Sequence, residues 1–175
     1  PSRGAYFTRG TTKDRYARYT EEGPAYVDNM ERLKKKFDLA KKMVPCPVIK
    51  KSPEPTGVGV IYYGSTSPAM AEALAALEDQ KIHVDALRLR GFPFDSSVID
   101  FIKEHEQVYV VEQNRDAQMR SLLIIEKKLA SARLIPIVHY DRTHITARFI
   151  TKAIREQLSG REASGIEKTL LQAAR

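Results

Sequence analysis

Residues 57–77, GVGVIYYGSTSPAMAEALAAL, constrain the fold more than any other stretch of the chain. They open with a near-continuous apolar run, Val58, Val60, Ile61, Tyr62 and Tyr63, the pattern of a strand buried on both faces. The chain then turns at Gly64-Ser65-Thr66. A helix is predicted next, with Thr66 or Ser67 as N-cap and Pro68 in its first turn. Ala69, Met70, Ala73, Leu74 and Leu77 recur at helical spacing and would cover the sheet. Two further copies of this strand-turn-helix rhythm follow, so the first one starts a parallel sheet.

The turn itself has two readings. Gly64 allows a sharp reversal, and a helix N-terminus offers free N–H groups to an anion, which makes Gly64, Ser65 and Thr66 candidate phosphate or carboxylate contacts. Any α/β unit also needs such a turn, with Ser and Thr capping the helix. A lone Gly-Ser-Thr is far weaker than a glycine-rich phosphate fingerprint.

The 175 residues, 42% of them hydrophobic, suffice for one domain with a real core plus an appendage. No run of 18 apolar residues marks a membrane span. The opening PSRGAYF has neither an apolar signal region nor an initiator Met, so a piece of a longer or processed chain is expected. The single cysteine, Cys46, excludes an internal disulfide or an all-Cys metal site and fits a cytoplasmic location.

The net charge of +7 is unevenly spread. Residues 1–51 hold 13 Lys and Arg against 6 Asp and Glu, whereas residues 52–175 hold 16 of each. A nucleic-acid patch is one reading; against it, residues 52–175 are neutral and no aromatic stacking platform is interleaved with the lysines. The basic part reads instead as an extension lying on an acidic partner surface, or as a solvated helix face.

Residues 1–22 have no helical or strand period and are rich in Arg, Thr and Tyr. Such a segment cannot make its own core and is either disordered or laid along another surface. Arg3, Arg9, Thr8, Thr11 and Thr12 are residue types that bind carboxylates and phosphates. Residues 24–44 predict a helix about 30 Å long. Its narrow stripe of Tyr26, Met30, Leu33, Phe37, Ala40 and Val44 needs a surface to bury on. Four prolines between residues 45 and 55 then predict a stiff linker. The domain boundary is placed there, giving 1–51 as linker segment and docking helix, and 52–175 as the α/β domain.

Residues 82–90 predict a second strand, 108–111 a third that is wholly apolar, and 134–138 a fourth. Pro136 within the fourth implies an edge position. Helices are predicted after Asp95 or Ser96, over 115–128, from Ile145 or Thr146 to a stop at Gly160, and weakly over 162–174. The fold class is α/β, a three-layer, mostly parallel sheet of four to five strands with flanking helices, preceded by an N-terminal extension and long helix.

Ligands of open parallel sheets sit at the C-terminal strand ends. Those ends carry Gly64-Ser65-Thr66, Arg88-Leu89-Arg90, Glu112-Gln113-Asn114 and His139-Tyr140-Asp141. Glu112 could act as a general acid or base. A carboxylate at a strand end more often caps the next turn or pairs with an arginine, so Glu112 and Asn114 are expected to serve contacts. His139, Asp141 and His144 lack a dependable metal spacing.

The blocks GVGVIYYGSTSPAMAEAL, DALRLRGFPF, VYVVEQNRDAQMRSLL and PIVHYDRTHITARFI occur in order. Together with YFTRGTTKDRYARYTEEGPAYVDNMERLKKKFD, they resemble the C-terminal part of the α subunit of 2-oxoacid:ferredoxin oxidoreductases, most closely the 2-oxoglutarate type. The resemblance implies a transketolase C-terminal-like domain in a cytoplasmic enzyme of carbon metabolism. Such enzymes decarboxylate a 2-oxoacid on thiamine diphosphate with Mg²⁺. They pass electrons through [4Fe-4S] clusters to ferredoxin and form an acyl-CoA. The implied partners are the rest of the α subunit, a β subunit carrying thiamine diphosphate and the cluster, and ferredoxin, with no nucleic acid or membrane. The chain alone, with one cysteine and no thiamine-facing domain, is expected to bind none of these cofactors, to be inactive and to shape the site's rim. Arg3, Arg9 and Thr12 are the expected substrate contacts in the assembled enzyme. A stand-alone binding or interaction module, with an anion site at the Gly64-Ser65-Thr66 helix N-terminus, is the alternative.

Overall fold

The computed structural model describes residues 12–127, 129 and 131–173, with side chains through residue 126, at 129 and over 131–160. The chain divides into two compact units after Val44.

In the first unit, residues 12–20 form a small turn that closes on itself. Lys13 and Tyr19 bridge, and the Asp14 carboxylate accepts from the Tyr16 and Arg18 amides at 2.9 Å each. Helix α1 spans Gly23–Ala40 and starts at Pro24, whose fixed φ and missing N–H suit a first turn. The α-helix stops at Ala40, short of the predicted 44, and residues 41–44 continue as turns. Tyr26, Met30, Leu33 and Phe37 line up along α1, and each is more than a third exposed.

The second unit is built on a five-stranded sheet in the order β1-β3-β2-β4-β5. Strands β2 (Val58–Tyr63), β3 (Asp85–Leu89), β4 (Gln107–Glu112) and β5 (Leu134–Val138) are parallel. A fifth strand is within the four to five expected, but it arises where the sequence suggests no strand. β1 (Val48–Lys50) lies inside the stretch read as linker and pairs antiparallel with β3, Ile49 opposite Leu87. Its apolar signal is only two residues long and is flanked by prolines, so periodicity could not reveal it. Pro136 lies on β5, an edge strand, where its missing N–H costs no ladder bond on the open side.

Alternation along β2 and β4 sends side chains to two separate cores. On one face Val60, Tyr109 and Val111 pack with Met70, Ala73 and Leu77 of α2 (Ser67–Asp79) and Ile150 and Ile154 of α5 (Ala147–Ala173). On the other, Ile61, Val108 and Val110 pack with Val98, Phe101 and Ile102 of α3 (Ser96–Glu104) and Leu123 of α4 (Gln118–Lys127). The sheet unit is therefore three-layered. Asp95 caps α3 as predicted, accepting from the Ser97 amide at 2.9 Å.

Helix boundaries in the sheet unit also differ from expectation, and α4 begins at Gln118, three residues later than expected. Gly160 does not stop α5, which runs on to Ala173; no left-handed cap forms there, and an isolated glycine is tolerated inside a helix at a modest cost. Thr66 holds the N-cap position of α2 but is itself helical and gives no side-chain cap, because a 3₁₀ turn over Gly64–Thr66 feeds the helix directly.

Candidate functional site

Parallel pairing brings the C-terminal ends of β2, β3, β4 and β5 to one pole of the sheet, where the polar strand-end residues collect. Glu112, the last residue of β4, is fully buried. Its carboxylate accepts from the Met119 amide at 2.7 Å, the Arg120 amide at 3.0 Å and the Asn114 side-chain amide at 2.8 Å. Met119 and Arg120 lie in the first turn of α4, and Asn114 Oδ1 accepts from the first helical amide, Gln118, at 3.2 Å. The anion that this helix N-terminus attracts is thus supplied by the protein itself. Burial raises the Tyr63 phenol, and the neighbouring Glu112 carboxylate adds to that rise. Glu112 and Asn114 are brought together as a helix-capping pair.

The first βα turn is close by. Gly64 adopts φ +56°, and a Cβ there would meet nothing within 4 Å, so glycine is needed for conformation and not for space. Ser67 Oγ donates to the Gly64 carbonyl at 2.8 Å. Gln113, the residue after β4, donates from Nε2 to Ser65 Oγ at 2.9 Å and lies 3.3 Å from Thr66 Oγ1. Gln113 therefore ties the two strand-end turns together; the sequence places it at the strand end but gives it no role. Ser65 and Thr66 accept here, and their hydroxyl protons stay available to another acceptor.

Farther along the same pole, His139 Nε2 lies 3.4 Å from Asp141 Oδ1. The Thr143 hydroxyl and amide hold the Asp141 carboxyl below its usual range. Among the described residues no three His, Cys, Asp or Glu side chains gather as metal ligands, and Cys46 is exposed. No described helix is long and apolar enough to cross a membrane.

The substrate contacts expected at the N-terminus divide. Arg3 and Arg9 lie outside the described residues. Thr12 is half-buried, and its carbonyl accepts from the Thr20 amide at 3.2 Å. With Lys13, Arg15, Asn29 and Arg32 it lines a cleft of about 440 Å³ between the 12–20 turn and α1. Asn29 donates to the Lys13 carbonyl, and Arg15 grips Asp28 at 2.6 and 3.3 Å. The Arg15 hydrogen bond holds the Asp28 carboxyl below its usual range. These contacts fix the turn to α1.

At the opposite pole of the sheet lies a polar cluster that the sequence did not announce. His105 is buried at the end of α3, with Nδ1 2.6 Å from the Phe101 carbonyl oxygen and Nε2 3.0 Å from Asp85 Oδ2. Both partners are acceptors, and together they fix the orientation of the ring. Asp85 also accepts from the Ser52 amide at 2.8 Å and pairs with Lys51 at 2.9 Å. Burial works against the Asp85 carboxylate, but the Ser52 amide, Lys51 and His105 outweigh it and keep it below the usual range. Gly59 makes this packing possible, since a Cβ there would stand 2.8 Å from the Phe101 ring and 3.2 Å from His105. The cluster sits at the N-terminal strand ends, away from the strand-end turns described above, and joins the chain around β1 to α3.

No family model and no curated protein sequence matches the chain. Among solved structures it is similar to 2-oxoglutarate:ferredoxin oxidoreductase from Magnetococcus marinus, solved with 2-oxoglutarate, coenzyme A and succinyl-CoA bound. That likeness has a TM-score of 0.74 at 18% identity, over 87% of this chain and 26% of that one. It is also similar to a split-gene transketolase, described as an inactive β4 tetramer, with a TM-score of 0.51 at 17% identity, over 65% of this chain and 41% of that one. The chain thus spans about a quarter of the oxidoreductase's length. Five mostly parallel strands between two helix layers, shared with these neighbours, give the sheet unit the transketolase C-terminal-like fold.

Proposed function

We propose that this chain is part of the α subunit of a 2-oxoacid:ferredoxin oxidoreductase of the 2-oxoglutarate type, and that it shapes the rim of the thiamine site. The observation that carries this reading is the extent of the likeness. The match to the oxidoreductase takes in more of the chain than the sheet unit spans, so part of the N-terminal unit is included, whereas the transketolase match could fall within the sheet unit alone. The sequence blocks that resemble the family likewise run from residue 6 to residue 150.

In such an enzyme a 2-oxoacid and CoA give an acyl-CoA and CO₂, and two electrons leave one at a time to ferredoxin. The chain's own residues do not fit the electron carrier, because a cubane cluster needs several thiolates and Cys46 is the single cysteine. Its strand-end carboxylate is occupied as well, with three donors on Glu112. Thiamine diphosphate with Mg²⁺ and the cluster therefore belong to the partner β subunit and the upstream part of the α subunit. The role left for this chain is to hold neighbouring elements and to present the N-terminal segment. Arg3, Arg9 and Thr12 contact the 2-oxoacid, since a guanidinium binds a carboxylate through two parallel hydrogen bonds and Thr adds a neutral donor.

The test is reconstitution. Joined to the upstream part and assembled with the cluster-bearing partner, the chain should support CoA-dependent reduction of ferredoxin or a viologen by 2-oxoglutarate. The chain alone, given thiamine diphosphate, Mg²⁺, CoA and 2-oxoacid, should give none. In the assembly Arg3→Ala and Arg9→Lys should raise KM at least about tenfold. Turnover by the chain alone, or an intact assembly inert toward every 2-oxoacid, would overturn the proposal; unchanged KM in both variants would remove only the substrate contacts.

A further inference from the structure

The outer surface of the α2/α5 layer is not accounted for by the fold or by the strand-end pole. Two adjoining cavities of about 590 and 460 Å³ lie there and share Glu72, Ala147 and Arg148 as lining. They form one groove between the two helices. On the α2 side it runs from Pro68 to Gln80, about 18 Å at the helical rise, which is the length of three helical turns.

Its lining has a definite charge pattern. Arg148, Lys152 and Arg155 sit at successive turns along α5, while Glu72 faces them alone from α2. Arg148, Arg155 and Glu72 have no ion-pair partner among the described residues, and Lys152 reaches Glu156 only at 3.8 Å. The floor is made of small side chains, Ala69, Ala76 and Ala147, which let another backbone approach closely.

One further group is left incomplete. Thr151 lines the groove and is 7% exposed, and its hydroxyl has no hydrogen-bond partner among the described residues. A buried hydroxyl without a partner costs stability. Threonine in a helix populates two χ1 rotamers, so a ligand in the groove could recover that bond.

We propose that this groove docks an acidic helix of another protein, with carboxylates spaced to meet Arg148, Lys152 and Arg155 and a basic side chain to meet Glu72. The mixed charge favours a protein over nucleic acid. Glu72 would repel a phosphate chain, and the groove offers no aromatic ring for a base to stack on. It also lacks the large exposed apolar side chains by which a helix face enters a membrane surface. Complementary charge of this kind sets which partner binds and in what register. The inference concerns the sheet unit alone and does not depend on the proposed reaction.

The experiment is a titration of the isotope-labelled 175-residue chain, followed by amide NMR. The probe is an alanine-based helical peptide of about 15 residues carrying Glu at the matching turns and one Lys on the opposite side. Saturable shifts should centre on residues 68–80 and 145–155. The double variant R148E/R155E should bind at least about tenfold more weakly. Thr151→Val should weaken binding severalfold while leaving the melting temperature unchanged or raised. A peptide with Lys in place of Glu should not bind. The proposal is overturned if no saturable shifts occur, if they centre on α1, or if R148E/R155E binds as the parent does. It is equally overturned if a single-stranded oligonucleotide or an anionic vesicle binds these residues more tightly than the acidic peptide.

Discussion

Glu112→Gln separates a helix cap from a general base. The substitution keeps the shape but replaces one carboxylate oxygen by an N–H₂ group. In the native protein that carboxylate, fully buried, accepts from two backbone amides of α4 and from Asn114. Glutamine can satisfy one side of this set, and its own donors then face an amide that also donates. The loss is roughly one charge-assisted hydrogen bond plus one buried donor left unpaired, together about 2–4 kcal/mol. In a chain of this size that should lower Tm by about 4–16 °C, well short of unfolding it at room temperature. Thermal denaturation gives the first number, and urea denaturation with an unchanged m-value checks it. Hydrogen exchange gives the location: the Met119 and Arg120 amides should exchange faster, while amides of α2 stay protected. A Tm within about 1 °C of the parent, with unaltered exchange at Met119 and Arg120, would refute the capping account. Glu112 would then be free to act on a substrate, and a large fall in kcat in the assembled enzyme would follow.

Gly59→Ala should destabilise by about 1–3 kcal/mol, because the new methyl meets a packed ring and a pinned imidazole. Phe101→Leu in the same chain should offset part of that loss, and strict additivity of the two changes would count against the contact. For the Asp85 cluster the folded carboxyl titrates below its ordinary value, so its contribution is fully present above about pH 4 and is lost as pH falls through the folded value. Asp85→Asn should therefore be clearly less stable than the parent at pH 7 and converge with it in strong acid; an unchanged gap would refute the linkage. In the assembled enzyme Phe37→Ala should cost about 3 kcal/mol of stability or subunit affinity if the α1 stripe is covered there, and Lys35→Ala under about 0.5. Equal small effects would show that the stripe stays in water.

Much of the sheet unit could be read from the chain because its signals are local and strong. The apolar run 108–111 within β4, the run at β2 and the Asp95 cap of α3 each fix an element without outside help. β1 was missed because its identity rests on pairing with β3, not on any pattern of its own. Gly160 misled for a related reason, since a glycine ends a helix only when the backbone beyond it turns. At the site, Glu112 was legible as a strand-end carboxylate, but the short distances to Met119 and Arg120 that favour a cap over a base join residues whose approach no spacing shows. Gln113 and the Asp85–His105 pair could not be found from spacing, because each joins segments tens of residues apart: Gln113 reaches Ser65, and His105 reaches Asp85.

The two outermost strands have a consequence for what the protein can become when crowded or partly unfolded. β1 offers three residues hemmed in by prolines at 45, 47, 53 and 55, and β5 carries Pro136 at its middle. A sheet rim with free N–H and C=O groups is a template on which another chain can add a strand, and from there fibrils can grow. Here one rim is too short to register a visitor and the other lacks a donor at its centre. The sheet is closed to lateral growth, so a larger assembly must be made through helices and strand-end turns, and copies of this chain that meet by chance have no ready way to zip together.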